Sequence, residues 1–266
     1  MSELYSGCWH KLDWAKRYVD EFQRSVDAWG ANFQGKPPFE FRNEFDPDSN
    51  CFTLFTTDVA DAPPEWSLII GDALTNFRAA LDYLAHDLVG RGSKPELRGT
   101  STPQFVIARE SKDFPGALKG RMPGIQSAHA TIVEYYQPYR WLDVKELHPF
   151  FLLDHLVRWD KHRQIQPVFA QHAGNVSMGV TGNSDFRVTR TEPGLAYKTF
   201  PLAPRLEADA ELLRVFGERT GPNPDVKVRY EGAVAVTFED GRWARDTLDQ
   251  VGAMIAQLFT EIEPTL

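Results

Sequence analysis

The spacing of apolar residues changes once along the chain, near residue 164, and this change constrains the fold more than any other feature. Before it, apolar side chains recur at alternating intervals of three and four residues, which is typical of amphipathic helices. After it come short β-rich runs separated by Gly, Asn, Pro and Asp, as in an antiparallel sheet with turns. A final helical pattern has the apolar face Leu248, Val251, Ile255, Leu258 and Ile262. We therefore predict an α+β fold, in which a helical bundle with a small β-hairpin precedes an antiparallel sheet and a C-terminal helix.

The same change of pattern suggests a division into two parts. Residues 1–163 form the mainly helical part, with a hairpin at about 38–57 around the turn formers DPDSN. Residues 164–266 form the β part with its closing helix. Within the first part, the short apolar run FVIA at 105–108 is compatible with a strand. Whether the two parts are separate domains or one integrated domain stays open.

Composition narrows the functional classes. A formal charge of −8 and a pI near 5.4 argue against a broad grip on a nucleic-acid backbone but leave room for a local basic pocket. Cys8 and Cys51 form no CxxC pair, so a disulfide framework or a zinc–thiolate site is not expected. No apolar run approaches the roughly 20 residues that span a bilayer. We expect a reduced, cytoplasmic protein with no membrane segment.

The helix predicted over 67–88 carries polar side chains opposite its apolar face. The candidate binding residues on this side and its edge are Asp72, Asn76, Arg78, Asp82, Tyr83 and His86. A solvated face with i,i+4 ion pairs such as Arg78–Asp82 explains the pattern, and so does one half of a binding site. The small residues Ala79 and Ala80 would leave room for a ligand to approach.

A second polar group lies at the end of the helix predicted near residues 149–163. The candidate catalytic residues are His162, Arg158, Arg163 and Asp160, with His155 as a further binding candidate. Arg158 and His162 are i,i+4, so they could hold a phosphate with His162 as acid or base. An ordinary helix C-terminus also collects cations, because they interact favourably with the helix dipole. His155 and His162 lie two helical turns apart, too far to share one ion, and we predict neither a metal nor a cofactor.

These two segments resemble a group of bacterial proteins of unknown function that share GDxLxNxRxALDxL and a later DKHR. The first motif matches within 71–84, and the second is Asp160 to Arg163. The resemblance covers about the first 165 residues and implies no activity.

A more distant likeness is to the HEPN superfamily of helical proteins, which includes many metal-independent ribonucleases. Their functional mark is an Arg and a His, four to six residues apart, that face a second copy across a dimer. The sequence departs from this mark, since seven residues separate Arg78 from His86 and three separate Arg158 from His162.

Two functions follow as hypotheses. In the first, the chain binds a small ligand or a protein partner, and its paired helices carry a polar network that fixes their packing. In the second, it is a hydrolase of phosphodiesters, with RNA as substrate, using His162 together with Arg158 or Arg163. An assembly of identical chains is compatible with either.

Overall fold

The fold was derived from a computed structural model that describes most of the chain. The described residues are 3–32, 39–92, 103–162, 165, 167–171, 177–182, 185–193, 208–221, 226–231 and 234–266. The predicted α+β class is confirmed, with N-terminal helices, an antiparallel four-stranded sheet and a C-terminal helix. The chain forms two compact units: a helical unit of Met1–Gln23, Ser67–Ile165 and Arg245–Leu266, and a strand unit of Arg24–Trp66 and Gln166–Ala244.

The helical unit is built from α-helices. They are α1 (Glu3–Ala31), α2 (Glu65–Gly92), α3 (Phe114–Arg121), α4 (Ser127–Tyr135), α5 (Pro149–His162) and α6 (Ala244–Ile262), of which α1, α2 and α6 extend into the strand unit. A ten-residue 3-10 helix, Pro138–Leu147, precedes α5. All five apolar residues predicted for the face of α6 are fully buried. Within the part of the chain that the structure describes, no helix has the length and apolar character needed to cross a membrane.

The strand unit contains the predicted hairpin and, among the described strands, four further antiparallel pairings. Its strands are β1 (Phe39–Asp46), β2 (Cys51–Val59), β3 (Val168–Gln171), β4 (Ser177–Gly182), β5 (Phe186–Pro193), β6 (Glu211–Arg219), β7 (Val226–Glu231) and β8 (Val234–Thr237). The four-stranded sheet has the order β1-β2-β6-β5, while β3 pairs with β8 and β4 with β7. The hairpin prediction is confirmed, with Phe45 opposite Phe52. AYKTFPL at 196–202, one of the short β-rich runs that follow residue 164, lies outside the described residues.

Strand β6 explains why the units do not follow the division at residue 163. It pairs with hairpin strand β2 on one side and with β5 on the other. The hairpin therefore belongs to the same unit as strands more than 120 residues later in the chain.

The segment from Phe105 to Ala108 is buried, but it forms no strand, so that prediction is wrong. Its backbone groups pair with side chains instead of a neighbouring strand. The fully buried amide of Gln137 accepts a hydrogen bond from the Ala108 N–H at 2.7 Å and donates to the Val106 carbonyl at 3.0 Å. The same amide donates to the Val133 carbonyl at the end of α4. These bonds satisfy buried polar groups that a sheet would otherwise pair.

Candidate functional site

Helices α2 and α5 meet where the two sequence motifs come together. The carboxylate of Asp160 in α5 packs against Gly71 in α2, and a Cβ added at Gly71 would lie 2.9 Å from its Oδ1 and 3.0 Å from its Oδ2. Such an approach requires a residue without a side chain at position 71. The first two residues of GDxLxNxRxALDxL and the aspartate of DKHR therefore lie in one place.

The electrostatic environment of Asp160 disfavours its charge. Partial burial, together with the charge of the exposed Asp72, raises the pKa of the Asp160 carboxyl above its ordinary value of 3.8. Among the side chains that the structure describes, none donates a hydrogen bond to this carboxylate or forms an ion pair with it. Nor does any group of three or more His, Cys, Asp and Glu residues in the described part of the chain lie together as metal ligands.

Arg78 and Asp82 clamp the backbone of Phe105. Arg78 pairs with Asp82, with Nη2 2.9 Å from Oδ1, and also donates from Nη2 to the Phe105 carbonyl at 2.8 Å. Asp82 in turn accepts a hydrogen bond from the Phe105 N–H at 2.8 Å. The i,i+4 pair thus satisfies both polar groups of one buried residue in a segment that has no strand partner. This arrangement is typical of a structural contact, because it holds the Phe105 segment against α2.

Asn76 links α2 to α1. Its Oδ1 accepts a hydrogen bond from the Lys11 ammonium at 3.1 Å, and its Nδ2 donates to the Asp72 carbonyl at 2.8 Å. The side chain is buried, unlike those of Asp72, Tyr83 and His86 on the same helix. The Tyr83 ring contacts α1, where a Cβ added at Gly7 would lie 3.2 Å from Cδ2. The polar side of α2 is therefore part contact surface and part solvated surface.

The remaining candidates lie on or just beyond α5. The exposed Arg158 pairs with Asp154, with Nη2 2.8 Å from Oδ2, and the His155 ring makes an edge contact with Trp159. His162 is the last residue of α5; its side chain and the whole of Arg163 lie outside what the structure describes.

A cleft that the sequence did not indicate lies beside the 3-10 helix Pro138–Leu147. Its volume is about 440 Å³. It is lined by Arg109, Glu110, Ser111, Tyr139, Arg140 and Lys145, and we call it the 109–145 cleft. Three of these side chains are cations and one is a carboxylate. The lining is therefore positively charged, whereas the whole chain has a formal charge of −8.

The cations of the cleft are held in different ways. Lys145 donates from Nζ to Glu110 at 2.5 Å, which lowers the pKa of the Glu110 carboxyl and raises that of Lys145. Arg109 lies over the Phe151 ring, with its Nη2 3.3 Å from the Asp154 carboxylate. Its buried Nε has no hydrogen-bond acceptor among the described residues.

Arg140 and Tyr139 line the cleft from the 3-10 helix. The Arg140 guanidinium carbon lies 6.0 Å from the centroid of the Tyr139 ring, and no carboxylate in the described ranges pairs with it. The Tyr139 hydroxyl donates to Glu134 at 3.0 Å, and burial, together with this bond, raises the pKa of Tyr139 to about 12. Arg140 is thus the cleft cation most available to a ligand.

Sequence reasoning missed this cleft because its residues lie outside the periodic helices. Arg109, Glu110 and Ser111 follow the buried extended segment, whereas Tyr139, Arg140 and Lys145 belong to a 3-10 helix about 30 residues later. The composition was the one available signal: an acidic chain can still hold a local basic pocket, but composition does not say where in the chain that pocket lies.

The resemblances stated above have no independent support. Comparison of the chain with protein-family models, with curated proteins and with solved structures finds no match. Both the bacterial group and the HEPN superfamily therefore stay proposals.

Proposed function

We propose that the chain is a small-molecule-binding protein and that the 109–145 cleft is its binding site. The supporting observation is a concave site of about 440 Å³ in which three cations face one carboxylate. Ligand pockets commonly enclose about 300–1,000 Å³ and place a few polar groups at defined positions. The Tyr139 ring, the Ser111 hydroxyl and the arginine guanidinium groups, which come from two segments of the chain, give this cleft both polar and apolar contacts.

The polar side chains of α2 then have a structural role. Arg78 and Asp82 use their hydrogen bonds on the backbone of Phe105, and Asn76 uses its amide on α1 and on its own helix. A ligand at these groups would have to replace bonds that position buried backbone. Polar contacts of this kind can fix the register of packed helices.

Ligand-detected NMR with a pool of small charged and neutral molecules tests the proposal. We expect several pool members to bind the full-length chain and to lose binding in Ser111→Trp, whose indole would fill the cleft. Ser127→Trp is the matched control, because Ser127 is an exposed serine at the start of α4. Binding that is unchanged in Ser111→Trp, with a native circular dichroism spectrum, would contradict the proposal.

The hydrolase hypothesis is the second candidate, and it rests on other residues. It requires His162 to act with Arg158 or Arg163, and the Arg158 guanidinium pairs with Asp154. Incubation of the purified chain with single-stranded RNA, beside His162→Ala, tests it directly. Cleavage by the parent chain that His162→Ala abolishes would favour the hydrolase over the binding protein.

A further inference from the structure

We infer that the ligand of the 109–145 cleft is a small dianion, a dicarboxylate or a phosphate, whose anionic group displaces Glu110 from Lys145. This inference rests on the proposed function and adds the chemical class of the ligand and its competitor. It is carried by the charges that line the cleft and by the pairing among them.

The first step is the excess of positive charge. Arg109, Arg140 and Lys145 face Glu110 alone among the lining residues. A cleft lined by positive charge concentrates anions, even when the net charge of the whole chain is negative. A ligand with two negative charges would balance the lining, and a neutral ligand would not.

The second step is the difference between the cations. Arg140 has no carboxylate partner among the described residues and is exposed. Its planar fork of donors fits a carboxylate or a phosphate through two parallel hydrogen bonds. Arg109 contributes positive charge from the other segment, but Asp154 and the Phe151 ring already hold it.

The third step is the exchangeable pair. In the Lys145–Glu110 ion pair, the side chains retain 30% and 52% of their exposure, and exposed pairs of this kind contribute little net stability. The Glu110 carboxylate is bound to the Lys145 ammonium, which is the group that the anionic group of a ligand would bind in its place. A ligand that reaches both Lys145 and Arg140 makes more charged contacts than Glu110 makes alone, so exchange favours the ligand.

Isothermal titration of the full-length chain at low salt, with succinate and with inorganic phosphate as probes, tests the inference. Glu110→Gln removes the competing carboxylate and should tighten binding by about three- to fivefold. Arg140→Gln and Lys145→Gln should each weaken it by about tenfold or more, because a charge-assisted hydrogen bond is lost. Lys119→Gln, an exposed charge on α3 that does not line the cleft, is the control and should bind like the parent chain.

The outcomes separate the inference from the proposed function. If phosphate binds tightly and succinate binds weakly, the ligand is a phosphate; the reverse result identifies a dicarboxylate. Both results support the inference. Equal losses in Arg140→Gln and Lys119→Gln, or no gain in Glu110→Gln, overturn it. If neither anion binds but neutral 1,4-butanediol or other neutral pool members bind at the cleft, the inferred dianion is contradicted and the proposed binding site is retained. If no molecule binds at the cleft, both the inference and the proposed function are contradicted.

Discussion

The carboxylate of Asp160 lies so close to Gly71 that an added Cβ would be 2.9 Å from its Oδ1. Two sequence motifs separated by more than 70 residues thus meet through one glycine and one aspartate. Their contact fixes how closely α2 and α5 pack, which gives both motifs a structural reason to occur together.

Gly71→Ala should destabilise the chain, although alanine has the higher helix propensity. The added methyl group must displace the Asp160 carboxylate or separate the helices, which we expect to cost more than the roughly 1 kcal/mol gained in propensity. Gly90→Ala, in the same helix, is the control, because its added Cβ meets nothing within 4 Å. Urea unfolding should show opposite signs for the two variants, and a stabilised Gly71→Ala would refute the close contact.

Asp160→Asn should stabilise the chain at neutral pH. The folded state raises the pKa of this carboxyl above 3.8, so the folded chain binds the proton more tightly than the unfolded chain. The stabilising contribution of the protonated form is fully present below pH 3.8 and is lost as the pH rises through the folded pKa. We expect the Tm advantage of Asp160→Asn to be largest at pH 7 and to shrink on acidification. An advantage independent of pH would contradict the shift.

Arg78→Ala should cost about 2 kcal/mol in the free energy of unfolding. It leaves the Phe105 carbonyl without its donor and Asp82 without its cation. Arg158→Ala removes an arginine from another i,i+4 pair, but one whose guanidinium is largely exposed, and should cost under about 0.5 kcal/mol. Urea unfolding compares them, and equal costs would contradict a structural role specific to Arg78.

His148→Asn should remove a pH dependence of stability. His148 directly precedes α5, and its buried ring accepts a hydrogen bond at Nδ1 from the Phe150 N–H at 3.1 Å, while burial lowers its pKa from 6.5 to about 4. The unfolded chain therefore binds the proton first, and about 3 kcal/mol of stability is lost as the pH falls from 6.5 to 4. Asparagine can accept the same bond without titrating. A Tm against pH curve unchanged by His148→Asn would locate the dependence elsewhere.

Periodicity predicted the elements whose stability comes from one buried face. The apolar stripes of α1, α2, α5 and α6 and the alternation of the hairpin are visible in the sequence. Strand β6 escaped prediction because ELLRVFGER is rich in helix formers, and its pairing with β2 depends on residues far away in the chain. The strand prediction for Phe105–Ala108 was wrong because Arg78, Asp82 and Gln137 supply the hydrogen bonds that a neighbouring strand would otherwise make.

The candidate site was less accessible from the sequence than the fold. The i,i+4 spacing indicated the Arg78–Asp82 pair, but nothing in it pointed to Phe105 as the shared partner. The cleft requires Glu110 and Lys145 to meet across 35 residues, through a 3-10 helix that has no apolar period to reveal it.

Amide chemical-shift mapping of the isotope-labelled full-length chain against the same pool of small molecules tests most directly whether the cleft is the binding site. We predict that the shifts concentrate on residues 109–111 and 139–145, and that the exposed side of α2 around Asp72, Tyr83 and His86 is unchanged. Shifts that concentrate on that side of α2, with the cleft amides unmoved, would contradict the assignment and return the site to the paired helices.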